Sequence, residues 1–433
     1  MRGLPPLDRF ALATCCVAGL AARVLFLGRD DVSPAEAAFL SSVAHGEGGI
    51  ASVPTMLARA IAAAGATSSF AMRLPFALLG AAMLVPAFAL LRRALPETAA
   101  RWALAVLAVH PAFVFASREA GPGSMFDLAF IGLLFAAHHA LGAVGATWPA
   151  AAALVGGLCI HPSWAMAALP VAIWILIERH RGGAPSSARA WPLVAATFVL
   201  AACVAFPLER VAYDDVAPPI RDVAFSFAAR AFAVDRAVAS PAVPLALIAW
   251  AICCVRGVFE EGGRGARMAM TMLVMVPFAG VVAVIVRRVT ADELRVLHVP
   301  AYGFTMFAAL AAVHSARVQA RIRAQTASGG GGVPPWVRSL LADPVGVPWL
   351  VAALAVWTGV ALATPRTAWS AAAADVRRDV PADAVVWTSR AGDAAVLSHH
   401  AGRPVLTAPR DGTDSWRAWL DTSVDPPVVR VTR

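Results

Sequence analysis

The chain has 433 residues, with a hydrophobic fraction of 59 % and a charged fraction of 15 %, and its mean hydropathy is +0.68. Soluble proteins average about 45–50 % apolar residues, so the composition excludes an ordinary soluble domain and points to repeated membrane spans. The net charge of +9 rests on arginine, no lysine being present. It is spread over many loops and gathers into no block, so a nucleic-acid-binding surface is not expected.

Spanning the hydrocarbon core takes roughly 17–25 apolar residues per helix, and by that measure about eleven spans follow one another. The first four lie near Phe10–Leu27, Leu74–Leu91, Ala99–Ala116 and Met125–Val144. The next three lie near Trp148–Ile160, His161–Ile177 and Trp191–Pro207. The last four lie near Val243–Val258, Met268–Val286, Leu297–Ser315 and Val347–Thr364. No small-residue cleavage site follows the first apolar run, which therefore reads as a retained helix. The six cysteines (Cys15, Cys16, Cys159, Cys203, Cys253, Cys254) sit inside apolar segments without a disulfide framework or metal-ligand spacing and read as lipid-facing or packing thiols.

Cytoplasmic loops hold an excess of positive charge. With the N-terminus inside, Arg92, Arg93, Arg101, Arg179, Arg181, Arg189, Arg256, Arg264 and Arg267 fall on inner connections. Arg317, Arg321, Arg323 and Arg338 follow the same rule, and eleven crossings leave the C-terminus outside. The first connection, Gly28–Gly49, then faces outward and carries Asp30, Asp31, Glu36, Glu47 and His45. It is either a solvated connector or a loop that offers a general base or a cation ligand at the membrane surface. Val53–Ser69 has helical apolar spacing but too little hydrophobicity to span, and reads as a helix along the outer interface. The outer loop Leu208–Ser240 mixes Asp214, Asp215, Arg221, Asp222, Arg230, Asp235 and Arg236 with apolar residues, and Gly329–Gly332 is a flexible inner linker.

The chain thus divides into a transmembrane part, residues 1–364 with outer loops 28–72 and 208–240, and a tail, 365–433. The tail alternates helix (Ala371–Asp379), strand (Ala384–Thr388), helix (Ala391–His400), strand (Pro404–Thr407), helix (Ser415–Leu420) and strand (Val428–Val431). That order predicts a small βαβαβ unit with a parallel sheet. It contains no glycine-rich phosphate loop, so no nucleotide is assigned and no cofactor is expected.

Several motifs together carry a resemblance. Met72-Arg73-Leu74-Pro75-Phe76-Ala77-Leu78-Leu79-Gly80 is similar to the RLPxxLxG segment that opens the second span of the polytopic glycosyltransferases of the GT-C superfamily. That group includes protein O-mannosyltransferases, the lipid A aminoarabinose transferase and the lipopolysaccharide-core sugar transferases. Leu91-Arg92-Arg93-Ala94-Leu95, His110-Pro111-Ala112-Phe113-Val114 and Ser117-Arg118-Glu119-Ala120 continue the likeness. Leu294-Arg295-Val296-Leu297-His298-Val299-Pro300 resembles a late Arg-Tyr-Leu-x-x-x-Pro stretch.

The resemblance implies an all-α polytopic membrane fold with a small C-terminal α/β extramembrane unit, in a bacterial inner membrane. It implies transfer of a sugar from a polyprenyl-phosphate carrier to a lipid, glycan or protein acceptor at the outer face, by direct displacement with inversion. In the family an Asp-Glu pair in the first outer loop acts on the acceptor hydroxyl, and a carboxylate there must lie within hydrogen-bond reach of the proton it takes. Cations bind the lipid phosphate, for which the planar guanidinium fork is suited.

Aligning Glu36-Ala37-Ala38-Phe39 with the family motif puts Ala35 at the aspartate position, and Gly121-Pro122-Gly123-Ser124 replaces a Pro-Asp pair. Three readings stay open: Glu36 serves as base, Asp30 or Asp31 swings in from upstream, or transfer chemistry is lost. Arg118 and Arg295 are the candidate lipid-phosphate contacts; Arg73 is either a third or an anchor of its helix end. Glu119 reads as an interfacial residue, His298 as a capping or packing one, and His399 and His400 as surface residues. His138 and His139 lie towards the inner end of their span and lack partners for a metal site. Asp127, costly within a span, is expected to face protein or a cavity. The competing class is a non-catalytic homologue or a lipid or solute transporter, for which internal repeats would be the sign.

Overall fold

The computed structural model describes residues 5–29, 32–33, 36–37, 39–40, 43, 53–65, 68–140, 157, 160, 164, 171–175, 177–178 and 263–273, most of 302–320, and 346–363. In the tail it describes 368–381, 384–388, 391–402, 405–406, 415–421 and 428–432. The spans expected at 191–207 and 243–258, the loop 208–240, the linker 329–332 and the site candidates Asp30, Asp31 and Arg295 lie outside the described residues. The remaining spans between 148 and 315 are described only in part.

Helix α1 runs from Pro6 to Val24, starting four residues before the apolar run. Proline is favourable in a first turn because its missing N–H costs nothing there. The helix ends short of the expected Leu27 because Phe26 and Gly28 take positive φ (57° and 102°), a conformation a helix cannot continue. Gly28 needs that freedom and the space too, since a Cβ there would lie 3.2 Å from the Phe70 backbone.

Helix α2 (Val53–Ala63) is the amphipathic segment expected at the interface. Its Ala58, Leu57 and Ile61 pack on Met72, Phe76 and Ala120. Helices α3 (Ser69–Ala82) and α4 (Leu84–Ala94) form one apolar rod of 26 residues, long enough to cross a membrane. Ser68 caps it by accepting the Ala71 N–H at 3.2 Å. Helices α5 (Glu97–Val109) and α6 (Pro111–Arg118) form a span bent by 46° at His110-Pro111.

The bend has a chemical consequence. Proline lacks an N–H, and the Ala112 N–H turns to His110 Nδ1 (3.2 Å), so carbonyls at the end of α5 lose their helical donors. Arg23 donates to the Ala108 carbonyl (3.1 Å) and Thr358 to that of Val109 (2.7 Å). Backbone groups in a lipid environment must be satisfied internally, and these side chains do so.

Helices α7 (Gly123–Ala140) and α8 (Gly346–Ala363) complete the described helical part. Helix α1 packs against α3, α4, α5 and α6, while α8 packs on α5 and α6. The core is built from Leu84, Phe88, Leu104, Phe113, Phe126, Phe130 and Trp164 among others. Leu7, Phe10, Val17 and Val356 point outward although large and apolar, as a lipid-facing surface requires. At the end where arginine-rich connections were expected, buried Asp8 takes Arg101 (2.6 Å) and Arg92 (3.1 Å), and Glu97 takes Arg92 (2.9 Å). Glu178 likewise pairs with Arg267 and with Arg264 (3.3 Å).

In the tail, α9 (Ala368–Asp379) and α10 (Ala391–Ala401) cover a four-stranded sheet of order β2-β1-β3-β4. Strands β1 (Val385–Trp387), β2 (Val405–Leu406) and β3 (Ser415–Asp421) are parallel, and β4 (Val428–Thr432) runs antiparallel to β3. The helix expected at 415–420 is therefore a strand, and the sheet is mixed. Its sequence, Ser-Trp-Arg-Ala-Trp-Leu-Asp, alternates with period two, placing Trp416 and buried Ala418 on the core side.

Candidate functional site

The site lies where the first loop, the start of α3 and the turn after α6 meet. Glu36 Oε1 accepts Arg73 Nε at 2.8 Å and the Ala120 N–H at 2.8 Å, while Oε2 accepts Arg73 Nη2 at 2.6 Å. The bridge is bidentate, the geometry that suits a planar guanidinium best. Glu36 is 1 % exposed and Arg73 4 %, so neither charge could stay there without the other. Glu36 reaches this position from a short helical turn whose first amide, its own, is held by Ser33 Oγ (3.1 Å).

Arg118 sits close by but faces α1. Its Nη1 donates to the carbonyls of Ala22 (3.3 Å), Arg23 (3.1 Å) and Leu25 (2.5 Å). These oxygens belong to the frayed end of α1, where helical donors run out and the dipole favours a cation. Thus Arg73 joins Glu36, whereas the Nη1 of Arg118 caps a neighbouring helix.

Below this layer lies a second polar group that sequence inspection anticipated only at Asp127. Asp127 is 1 % exposed and lies within electrostatic range of Arg23 and Tyr302. Arg23 is fully buried; its Nη1 bonds the Gly19 and Ala108 carbonyls, and its Nε and Nη2 have no hydrogen-bond partner among the described residues. Room for the guanidinium comes from glycine: a Cβ on Gly80 would lie 3.3 Å from Arg23 Nε and 2.2 Å from Ser117 Cβ. Arginine inside a predicted span was the signal available for Arg23, but placing it beside Asp127 requires the packing of α1 on α3, α6 and α7.

Above the bridge lies the tail. Val32, Ala37 and Val396 form a buried cluster with Leu40 and Trp369 around it. The Val32 N–H donates to His400 Nε2 at 3.3 Å. His399, beside it with ring centroids 5.3 Å apart, lies within electrostatic range of Glu36 and Arg73. His400, expected on the tail's free surface, thus meets the first loop, while His399 is exposed as expected. Partial desolvation is the larger influence on His399 and pushes its imidazole below the ordinary 6.5, with Arg73 acting in the same sense and Glu36 against it. His138 stacks on Trp174 (6.3 Å, 6°). Among the described residues no group of three or more His, Cys, Asp or Glu side chains could hold a metal ion.

This architecture can be compared with known proteins. Residues 52–207 match the family described as dolichyl-phosphate-mannose-protein mannosyltransferase. No curated protein sequence matches. Among solved structures, ArnT from Cupriavidus metallidurans in the apo state aligns with a TM-score of 0.57 and 13 % identity, over 92 % of this chain and 86 % of that one. The same protein bound to undecaprenyl phosphate aligns at 0.51 and 12 %, over 91 % and 85 %. The archaeal oligosaccharyltransferase AglB from Archaeoglobus fulgidus, in complex with an inhibitory peptide and a dolichol-phosphate, aligns at 0.54 and 14 %, over 93 % of this chain. The chain spans 64 % of that oligosaccharyltransferase's length. The fold resembles that of these membrane glycosyltransferases, and residues 52–207 carry the sequence match.

Proposed function

We propose that the protein transfers a sugar from a polyprenyl-phosphate donor to a lipid, glycan or protein acceptor at the outer face of a bacterial inner membrane, with the tail on that same face. The observation that carries this reading is the buried Glu36–Arg73 bridge, which fixes the first loop against the start of α3 within the segment that matches the mannosyltransferase family. A loop that must present a proton acceptor to a substrate needs such an anchor, because a base acts only from hydrogen-bond distance.

Roles follow from access. Glu36 is covered, and its oxygens already receive three N–H donors. It therefore holds the loop. Asp30 and Asp31, just upstream, are the loop carboxylates nearest to Glu36 in the sequence and take the acceptor's proton. As the acceptor oxygen attacks the anomeric carbon, the bond from that carbon to the phosphate oxygen breaks and its electron pair leaves with the polyprenyl phosphate. Arg295 supplies positive charge for that leaving phosphate, with Arg118 at the rim of the site. No metal or other cofactor enters this scheme.

The test uses full-length protein in lipid nanodiscs and a panel of radiolabelled undecaprenyl-phosphate sugars. Asp31→Asn, alone and with Asp30→Asn, is expected to lower turnover by about 10²–10⁴-fold with the thermal midpoint unchanged. Full turnover in the double variant would remove the loop aspartates from the mechanism.

A further inference from the structure

The loop that carries Asp30 and Asp31 is not held by the membrane helices alone. Its backbone at Val32, the residue directly after Asp31, gives its N–H to a ring nitrogen 368 positions further along the chain, on α10. The same residue's side chain is buried against Val396 one turn earlier on α10, with Ala37 on the other side of the loop in the same cluster. One helix of the tail therefore grips the loop at a polar and an apolar point, flanking the Glu36–Arg73 bridge.

We propose that His400 is a positioning residue for the transfer reaction: through its neutral Nε2 it accepts the Val32 N–H and fixes the first loop's backbone at that residue, so that the C-terminal tail is a working part of the site. This rests on the functional reading above. A ring nitrogen accepts a hydrogen bond only while it carries no proton. Protonation of Nε2 would turn it into a donor facing another donor, so the Val32 hydrogen bond is lost while the Glu36–Arg73 bridge stays.

Arg377 of α9 donates Nη1 to the His400 carbonyl (2.7 Å) and ties α10 to its neighbour. His399 lies beside the His400 ring, with Glu36 and Arg73 beyond.

The experiment is amide hydrogen exchange over residues 28–40 of full-length protein in nanodiscs, paired with turnover of the same undecaprenyl-phosphate sugars. Wild type, His400→Ala and His400→Gln are compared from pH 5 to 8. The Gln amide oxygen reaches about as far as Nε2 and does not titrate. The expected result is faster exchange at Val32 and at least a tenfold loss of kcat for H400A. H400Q is expected to keep both near the wild-type level at neutral pH and to lose the acid-side decline that wild type shows. Unchanged Val32 exchange in H400A, or faster exchange with unchanged kcat, overturns the proposal. If wild type turns over none of the donors while H400A still frees Val32, the functional reading fails and the role in transfer falls with it.

Discussion

At Glu36 the carboxylate has traded water for one guanidinium and one backbone amide. Removing a single partner of such a buried pair strands the other charge, which costs about 3–5 kcal/mol. Glu36→Gln is therefore expected to lower stability by an amount of that order, read as a fall in thermal midpoint in detergent, whereas the paired change with Arg73→Met recovers most of it. An E36Q protein of unchanged stability would contradict the buried bridge. His399 supplies a pH signature at the same scale. Its imidazole is held below 6.5, so at acid pH the unfolded or undocked tail binds protons more readily than the docked one. The docking it contributes is complete above pH 6.5 and weakens as the pH falls below it. His399→Gln should flatten that dependence in the exchange rates of α10.

Among the elements, α3 and α6 come close together at Gly80 and Ser117. An added methyl at Gly80 would sit 2.2 Å from Ser117 Cβ, so the two helices must part. Gly80→Ala is expected to cost about 1–3 kcal/mol, measured as the loss in midpoint of thermal unfolding; no loss would mean that the helices stand further apart. The helices themselves were legible in the sequence because hydrophobic length and proline position announce them: Leu74–Leu91 anticipates the 26-residue rod, and Ala99–Ala116 the bent span. The bend at His110-Pro111 is likewise written in the proline. What was not legible is the pairing across elements. The RLP motif announced Arg73 and the loop motif announced Glu36, yet their bridge depends on how residues 37 apart are folded together. The strand at 415–421 was missed because a short stretch rich in Trp, Ala and Leu fits both periods, and the pairing with β1 and β4 decides. The meeting of His400 with the first loop could not be read at all, since nothing local distinguishes it from a solvated residue.

For the whole molecule, the Val32–His400 contact sets the tail against the first loop, so the two share one face of the helical part. Single cysteines placed at Ser33 and at Arg378, in a background with the native cysteines replaced, are expected to react with a membrane-impermeant maleimide from the same side of oriented vesicles. Labelling from opposite sides would break the arrangement of loop, bridge and tail together. The account's central claim is a chemical one and is tested most directly by following the donor. Full-length protein in nanodiscs is given undecaprenyl-phosphate sugars with an acceptor lipid extract, and free undecaprenyl phosphate is measured by mass spectrometry. The account predicts release of undecaprenyl phosphate from at least one donor, abolished when Asp30 and Asp31 are both changed to asparagine; donors that all remain intact, or release that survives the double change, would contradict it.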